Sequence, residues 1–256
     1  MITIYDWFGY ELPIKERYKF IKEAGFDGVL LWWSEHLGRN DYCNGPGIVR
    51  EAGLFIENIH TPFQVQDHIW LDNLDGENAV ACYLQCVADC AEFEIQTMVV
   101  HLPDDDKPSN TLGLDRFKRI AERAELLGVN VALENLKNLS NLTHILAEVD
   151  SPRIGFCYDV THHCRNYPKH DFFPAYSSRL MALHLHDYDP VYGIHLLPFD
   201  GVIDWSASMQ RIAKIPYEGA IAIEAMNWNY KDISPEEYLQ KAFEKAMKLE
   251  SLIYSP

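Results

Sequence analysis

Residues 129–159 read VNVALENLKNLSNLTHILAEVDSPRIGFCYD. A short apolar run, Val129–Glu134, is followed by a helix-period pattern over Leu142–Val149 and then by a second apolar run, Ile154–Asp159. Strand, helix and strand in close succession predict a parallel crossover unit. Both runs end on a carboxylate, Glu134 and Asp159. The next two apolar runs repeat the feature: LMALHLH ends on His186, and AIAIEA carries Glu224 near its end. Carboxylates and imidazoles rarely end apolar strands, because burying them unpaired is costly. Four such groups converging at one place would make a divalent-metal site.

The same alternation extends over the rest of the chain. Strands are expected at Ile2–Trp7, Gly28–Trp33, Phe55–His60, Thr97–Leu102, Val129–Glu134, Ile154–Asp159, Met181–His186 and Ala220–Glu224. Helical patterns fall at Ile14–Ala24, Ile48–Ala52, Asn78–Phe93, Leu114–Leu127, Leu142–Val149, Phe173–Leu180 (weakly), Trp205–Ile212 and Pro235–Ile253. Several helices hand over to the next strand through glycine, as in EAGFDGV and LLGVNV, where a left-handed cap carries no Cβ strain. Eight units in 256 residues predict an α/β fold, a (β/α)8 TIM barrel in a single domain spanning 1–256. The rival is an open doubly wound sheet, but no GxGxxG follows the first strand. The polar loops Asp104–Asn110 and Tyr188–Asp204 would then lie on the catalytic face.

Composition narrows the function. The formal net charge is −16, which disfavours nucleic acid as a partner, since that binding depends on Lys and Arg neutralising phosphates. No apolar run is long enough to span a membrane. The N-terminus MITIYDWF reads as a strand rather than a secretory leader. The six cysteines form no CxxC pair, and Cys82, Cys86 and Cys90 share one helix face, where they are expected to pack as small apolar residues. A reducing, cytoplasmic setting is expected.

Strand side chains alternate faces. Glu134 therefore shares its face with Ala132, His186 with His184 and Ala182, and Glu224 with Ala222. Small residues beneath the polar ones leave room for a pocket at the C-terminal rim. His60 and His101 also close strands, His162 and His163 follow Asp159, and His195 lies in the seventh loop. Trp7, Trp32 and Trp33 could wall the pocket. A set of two Glu, one Asp and one His suits Mn or Mg first, with Zn or Co as alternatives.

These residues carry a family resemblance. The ordered motifs AGFDGV, HTPF, ALEN, YDVTHH, HLHD, PFDG with IDW, and IAIEAM resemble the sugar phosphate isomerase/epimerase family of xylose isomerase-like TIM barrels over essentially the whole chain. The resemblance to its ketose 3-epimerase branch implies one divalent metal held by Glu134, Asp159, His186 and Glu224. It implies that Glu134 and Glu224 act as the acid/base pair and that His162 contacts substrate. The arginine that follows the metal histidine by six positions in that branch is Tyr192 here. Endonuclease IV, related in fold, would place ligands at His60, His101, Glu134, Asp159, His162, His186, His195 and Glu224. Its ninth ligand falls on Gly193, so a third metal would keep only His162 and His195, which read better as substrate contacts; His60 and His101 could contact substrate hydroxyls or bind a second metal bridged by Glu134.

The expected function is a metal-dependent isomerase or epimerase of a sugar or sugar derivative. It would act by α-proton abstraction through a metal-bound enediolate. An inosose-type dehydratase and an endonuclease IV-like phosphodiesterase on abasic DNA are the alternatives. The expected partner is a small sugar or polyol, and homo-oligomerisation stays open.

Overall fold

The computed structural model describes residues 1–34, 42–103, 107–171 and 173–253. Seven parallel strands run β1 (Ile2–Tyr5), β2 (Gly28–Trp32), β3 (Phe55–His60), β4 (Thr97–Val100), β5 (Asn130–Glu134), β6 (Ile154–Asp159) and β7 (Leu180–His184). A short antiparallel hairpin follows, β8 (Asp187–Asp189) and β9 (Gly193–Leu196), and the last parallel strand is β10 (Ile221–Ile223). The order in the sheet is β10-β1-β2-β3-β4-β5-β6-β7. Leu185 lies in a parallel bridge with Ile223, its N–H donating to Ala222 O at 2.9 Å while Glu224 N–H donates to Leu185 O at 3.1 Å. Those bonds join the two edges, and the eight strands close into a barrel.

The helices are α1 (Ile14–Glu23), α2 (Gly45–Glu51), α3 (Leu74–Glu92), α4 (Thr111–Leu127), α5 (Leu139–Glu148), α6 (Val160–Asn166), α7 (Phe173–Tyr176), α8 (Trp205–Ile212) and α9 (Pro235–Ile253). Local chemistry sets their ends. The Asn73 and Asn110 side chains accept from the N–H of Gly76 and Gly113 and start α3 and α4. Gly128 stops α4 at φ 74°, in the left-handed conformation expected of a glycine cap.

Period-two alternation sorts the strand residues. Outward side chains join one large cluster with the helices, including Ile4, Val29, Ile59, Val100, Leu133, Phe156 and Leu183. Inward ones form two smaller groups inside the barrel. Tyr5, Leu30, Trp32, Ala222 and Met226 fill one side, and Val99, Ala132, Cys157 and Ala182 the other. The expected small residues beneath Glu134 and Glu224 are therefore in place.

Several expected strands end early. β1 stops at Tyr5 rather than Trp7, β4 at Val100 rather than Leu102, and β7 at His184 rather than His186. At the rim the regular ladder gives way to isolated inter-strand bonds, such as Asp6 N–H to Leu30 O at 2.9 Å, before the apolar pattern ends. The seventh loop was not expected to hold a hairpin. Buried Asp187 organises it by accepting from the N–H groups of Tyr188, Phe199 and Ile203 and from Trp205 Nε1. Residues 104–106 of the Asp104–Asn110 loop lie outside the described residues. The cysteines are free, and Cys86 and Cys90 are buried against the main core with Cys82 packed beside it. No helix among the described residues is long and apolar enough to cross a membrane.

Candidate metal centre and active site

Each ligand-bearing strand lifts one inward side chain to the C-terminal rim. Glu134 ends β5, Asp159 ends β6, His184 ends β7, and Glu224 follows β10 directly. All four are buried. One donor atom from each lies within 4.8 Å of the others. His184 Nδ1 is central, 3.0 Å from Glu134 Oε2 and 3.2 Å from Glu224 Oε2. Neither ring nitrogen of His184 makes a well-aligned hydrogen bond among the described residues, although Nδ1 stands within ion-pair distance of both glutamates. Three buried carboxylates around such an imidazole form a donor set suited to a divalent cation.

His186 belongs to a second group with His195 and Glu224. Its Nε2 lies 2.9 Å from Asp159 Oδ2 and 3.9 Å from Glu224 Oε2. The backbone N–H of His195 donates to His186 Nδ1 at 3.1 Å. The carbonyl of Asp187 lies 3.3 Å from the same nitrogen, and Nδ1–H donation to it would leave Nε2 facing Asp159 as an acceptor or ligand. His195 itself is held at φ 62°, a left-handed conformation that costs a non-glycine residue on the order of 1–3 kcal/mol. Three contacts hold it there: its N–H to His186, its Nδ1 to Glu224 O at 2.9 Å, and its carbonyl accepting from Met226 N–H at 2.8 Å.

The remaining histidines divide between site and scaffold. His101 Nε2 lies 3.1 Å from Glu134 Oε2, with the Gln66 side chain 3.0 Å from its Nδ1. His162 Nε2 lies 3.8 Å from Glu134 Oε1. It stands in the first turn of α6, which Asp159 caps by accepting from His162 N–H at 2.6 Å. His60 is wholly buried, 3.2 Å from His101 and 3.6 Å from Glu134. His163 is turned away from the site and meets Tyr158 and Arg211.

Electrostatics follows from this packing. Burial would raise the Glu134 carboxyl, but His101 and His184 outweigh it and hold the group well below the usual carboxylate range. Burial likewise opposes Glu224, yet His184 brings it down to about 2. Burial also works against Asp159, which His186 and His162 pull down. Burial disfavours charge on His184, but Cys157, Glu224 and Glu134 drive it well above its ordinary value. Burial lowers His60, and it takes His195 down to about 4 with help from His186.

A cavity of about 330 Å³ opens over Glu134 and Glu224. His101, His162 and His195 line it on one side, and Tyr5, Trp7, Trp32, Phe63, Met226 and Trp228 on the other. Of the expected tryptophans, Trp7 and Trp32 reach the cavity. Trp33, one residue out of phase, faces the helices and donates its Nε1 proton to Asp89 at 2.8 Å. Sequence reading did not single out His184, although its sharing a face with His186 was the available signal. Phe63 and Met226 close the motifs HTPF and IAIEAM but were given no role there, and Trp228 carried no signal, because all three come from the segments that follow the strands.

The fold and the donor set define a barrel enzyme scaffold with its polar groups at the C-terminal rim. Residues 18–249 match the family model described as xylose isomerase-like TIM barrel, and the chain belongs to that family. An uncharacterized protein of Sinorhizobium fredii is 33% identical over 134 residues, spanning 50% of this chain and 43% of that protein. Fructoselysine 3-epimerase of Escherichia coli O157:H7 is 27% identical over 91% of this chain and 92% of its own length. The crystal structure of D-psicose 3-epimerase with D-tagatose from Clostridium cellulolyticum H10 shares the fold. It has a TM-score of 0.75 and 18% identity and covers 99% of both chains.

Proposed function

We propose that this chain is a divalent-metal-dependent isomerase or epimerase of a sugar or sugar derivative, with Glu134 and Glu224 as its acid/base pair. The observation that carries the reading is a pair of buried carboxylates flanking one imidazole at the floor of a cavity. The family membership and the name of the fructoselysine relative support it. Glu134, Asp159 and Glu224 would hold the ion with His184 as the imidazole donor. His186, whose Nε2 lies 2.9 Å from Asp159, is the other imidazole that could hold the ion; with His184 as the donor it would orient that carboxylate. When bound, the ion would polarise a carbonyl and acidify the neighbouring C–H. Mn and Mg are the first choices for so oxygen-rich a set, with Zn and Co behind them.

One ionised glutamate takes the proton from the carbon next to the carbonyl, and the other, once it has itself taken a proton from a substrate hydroxyl or from water, returns that proton to the resulting enediolate. Return to the opposite face gives an epimer, and return to the neighbouring carbon gives an isomer. Ionisation of both glutamates before substrate arrives suits the first step, because an ionised carboxylate can accept a proton. His101, His162 and His195 stand where sugar hydroxyls would enter, with His60 supporting His101 from below.

Exchange of a ketohexose α-proton with deuterated water, followed by NMR across a panel of ketohexoses, tests the assignment. Active wild-type protein with Glu134→Gln and Glu224→Gln each reduced at least about 10³-fold is the expected outcome. Retained exchange in both variants would remove the acid/base assignment.

A further inference from the structure

The evenly spaced cysteines of α3 have no part in the barrel site. Their spacing puts Cys82, Cys86 and Cys90 on one helix face, and packing then gives them different surroundings. Cys90 is wholly buried, and burial pushes its thiol up. Cys82 is half-buried, and together with Cys86 it lines a cavity of about 470 Å³ between α3 and the segments that follow β2 and β3. Trp33, Tyr42, Pro62 and Gln64 line it as well. This cavity stands back to back with the barrel mouth, because Phe63, between Pro62 and Gln64, lines the active-site cavity instead.

The two thiols act as a pair. Cys86 donates its S–H to Cys82 Sγ, which lowers the Cys82 thiol and raises that of Cys86 well above its ordinary value. Helix geometry limits what such a pair can do. Residues four apart hold their Cβ atoms about 5–6 Å apart, whereas a disulfide needs about 3.5–4.5 Å. A direct S–S bond would therefore distort the helix. An ion between the sulfurs, about 2.3 Å from each, spans the gap with the backbone in place.

Charge points to a cation. The Asp89 carboxylate lines the same cavity, with its oxygens held by Trp33 Nε1 at 2.8 Å and Gln85 Nε2 at 2.7 Å. Its negative charge opposes ionisation of both thiols, and a positive ion between them offsets that penalty. Thiolates select soft ions. Two of them, each with a full negative charge, hold such an ion where two neutral imidazoles would not.

We propose that Cys82 and Cys86 form a dithiol site on α3 for a thiophilic cation of the copper(I) kind. The carboxylates and imidazoles of the barrel site take no part in it.

Phenylarsine oxide and copper(I) test it on the whole reduced protein. The arsenical condenses with two thiols: two As–S bonds form, and the oxide oxygen leaves as water with both thiol protons. Intact mass spectrometry in excess glutathione, a monothiol that displaces singly held arsenic, should show one adduct per chain. Copper(I), competed against a chromogenic chelator, should bind at one equivalent. Cys82→Ser and Cys86→Ser should each abolish the adduct and weaken copper(I) binding at least about tenfold. Cys43→Ser and Cys90→Ala should leave both unchanged. Cys82→Ser, at a half-buried position, carries the test should Cys86→Ser fold poorly. The absence of an adduct, or an adduct that Cys82→Ser leaves intact, overturns the site. Copper(I) held as tightly by Cys82→Ser as by the wild type overturns the choice of ion.

Discussion

His184 and His186 are two residues apart on one strand face, and their surroundings give them different work. His184 Nδ1 looks at two carboxylates. His186 Nδ1 lies between the N–H of His195 and the carbonyl of Asp187, and its Nε2 faces Asp159 at 2.9 Å. The difference predicts different metal affinities. Titrated with Co²⁺ and followed by visible absorption, His184→Ala should lose at least about tenfold more affinity than His186→Ala, in keeping with a ligand set against a residue that orients one. The opposite order would return the fourth ligand to His186. Both histidines stood in HLHD, on the same face by strand period. Only the His195 backbone, nine residues further along and in a left-handed turn, separates them.

The hairpin of β8 and β9 is the element that brings His195 there. Its anchor is Asp187, whose buried carboxylate accepts four hydrogen bonds from the loop that follows β7. Asp187→Ala would strand those donors, at about 1–3 kcal/mol for each left unsatisfied. The expected loss of stability is on the order of 2–4 kcal/mol once water has relieved part of the cost. Urea denaturation measures it, and an unchanged midpoint would show that the loop does not depend on this residue. The elements most legible in the sequence were those that follow a strict period. Phe55–His60, Ile154–Asp159, Trp205–Ile212 and Pro235–Ile253 have the expected bounds. The hairpin was not legible, because DYDPVYGIHL has no long alternation and its register depends on Asp187. Helix α6 was missed for a similar reason: seven residues are too few to show a period, and its cap is the carboxylate of Asp159.

At the scale of the whole molecule, the candidate ligands come from four strands, β5, β6, β7 and β10, that lie far apart in the chain. A cation bound there would engage the folded barrel and have no equivalent site in the unfolded chain. Binding of that kind stabilises by mass action, by about 2.7 kcal/mol at a hundred times the dissociation constant. Metal-stripped protein should therefore melt several degrees lower in EDTA than with Mn²⁺, Mg²⁺ or Zn²⁺ restored, and the ion with the largest upward shift would be the one the site prefers. A melting temperature indifferent to all of them would count against a metal centre.

The sequence by itself determined the alternation of strand and helix, the eightfold count, and the placing of Glu134, Asp159 and Glu224 at strand ends. Apolar periodicity and capping are local properties, and carboxylates stand out against apolar runs. The tertiary structure alone decided that His184 lies between the two glutamates and that Trp33 faces the helices while Trp32 faces the cavity. It also decided that the aromatic residues gather on one arc. Those outcomes depend on strand register, on barrel closure through Leu185 and Ile223, and on loops whose contacts join residues more than a hundred positions apart.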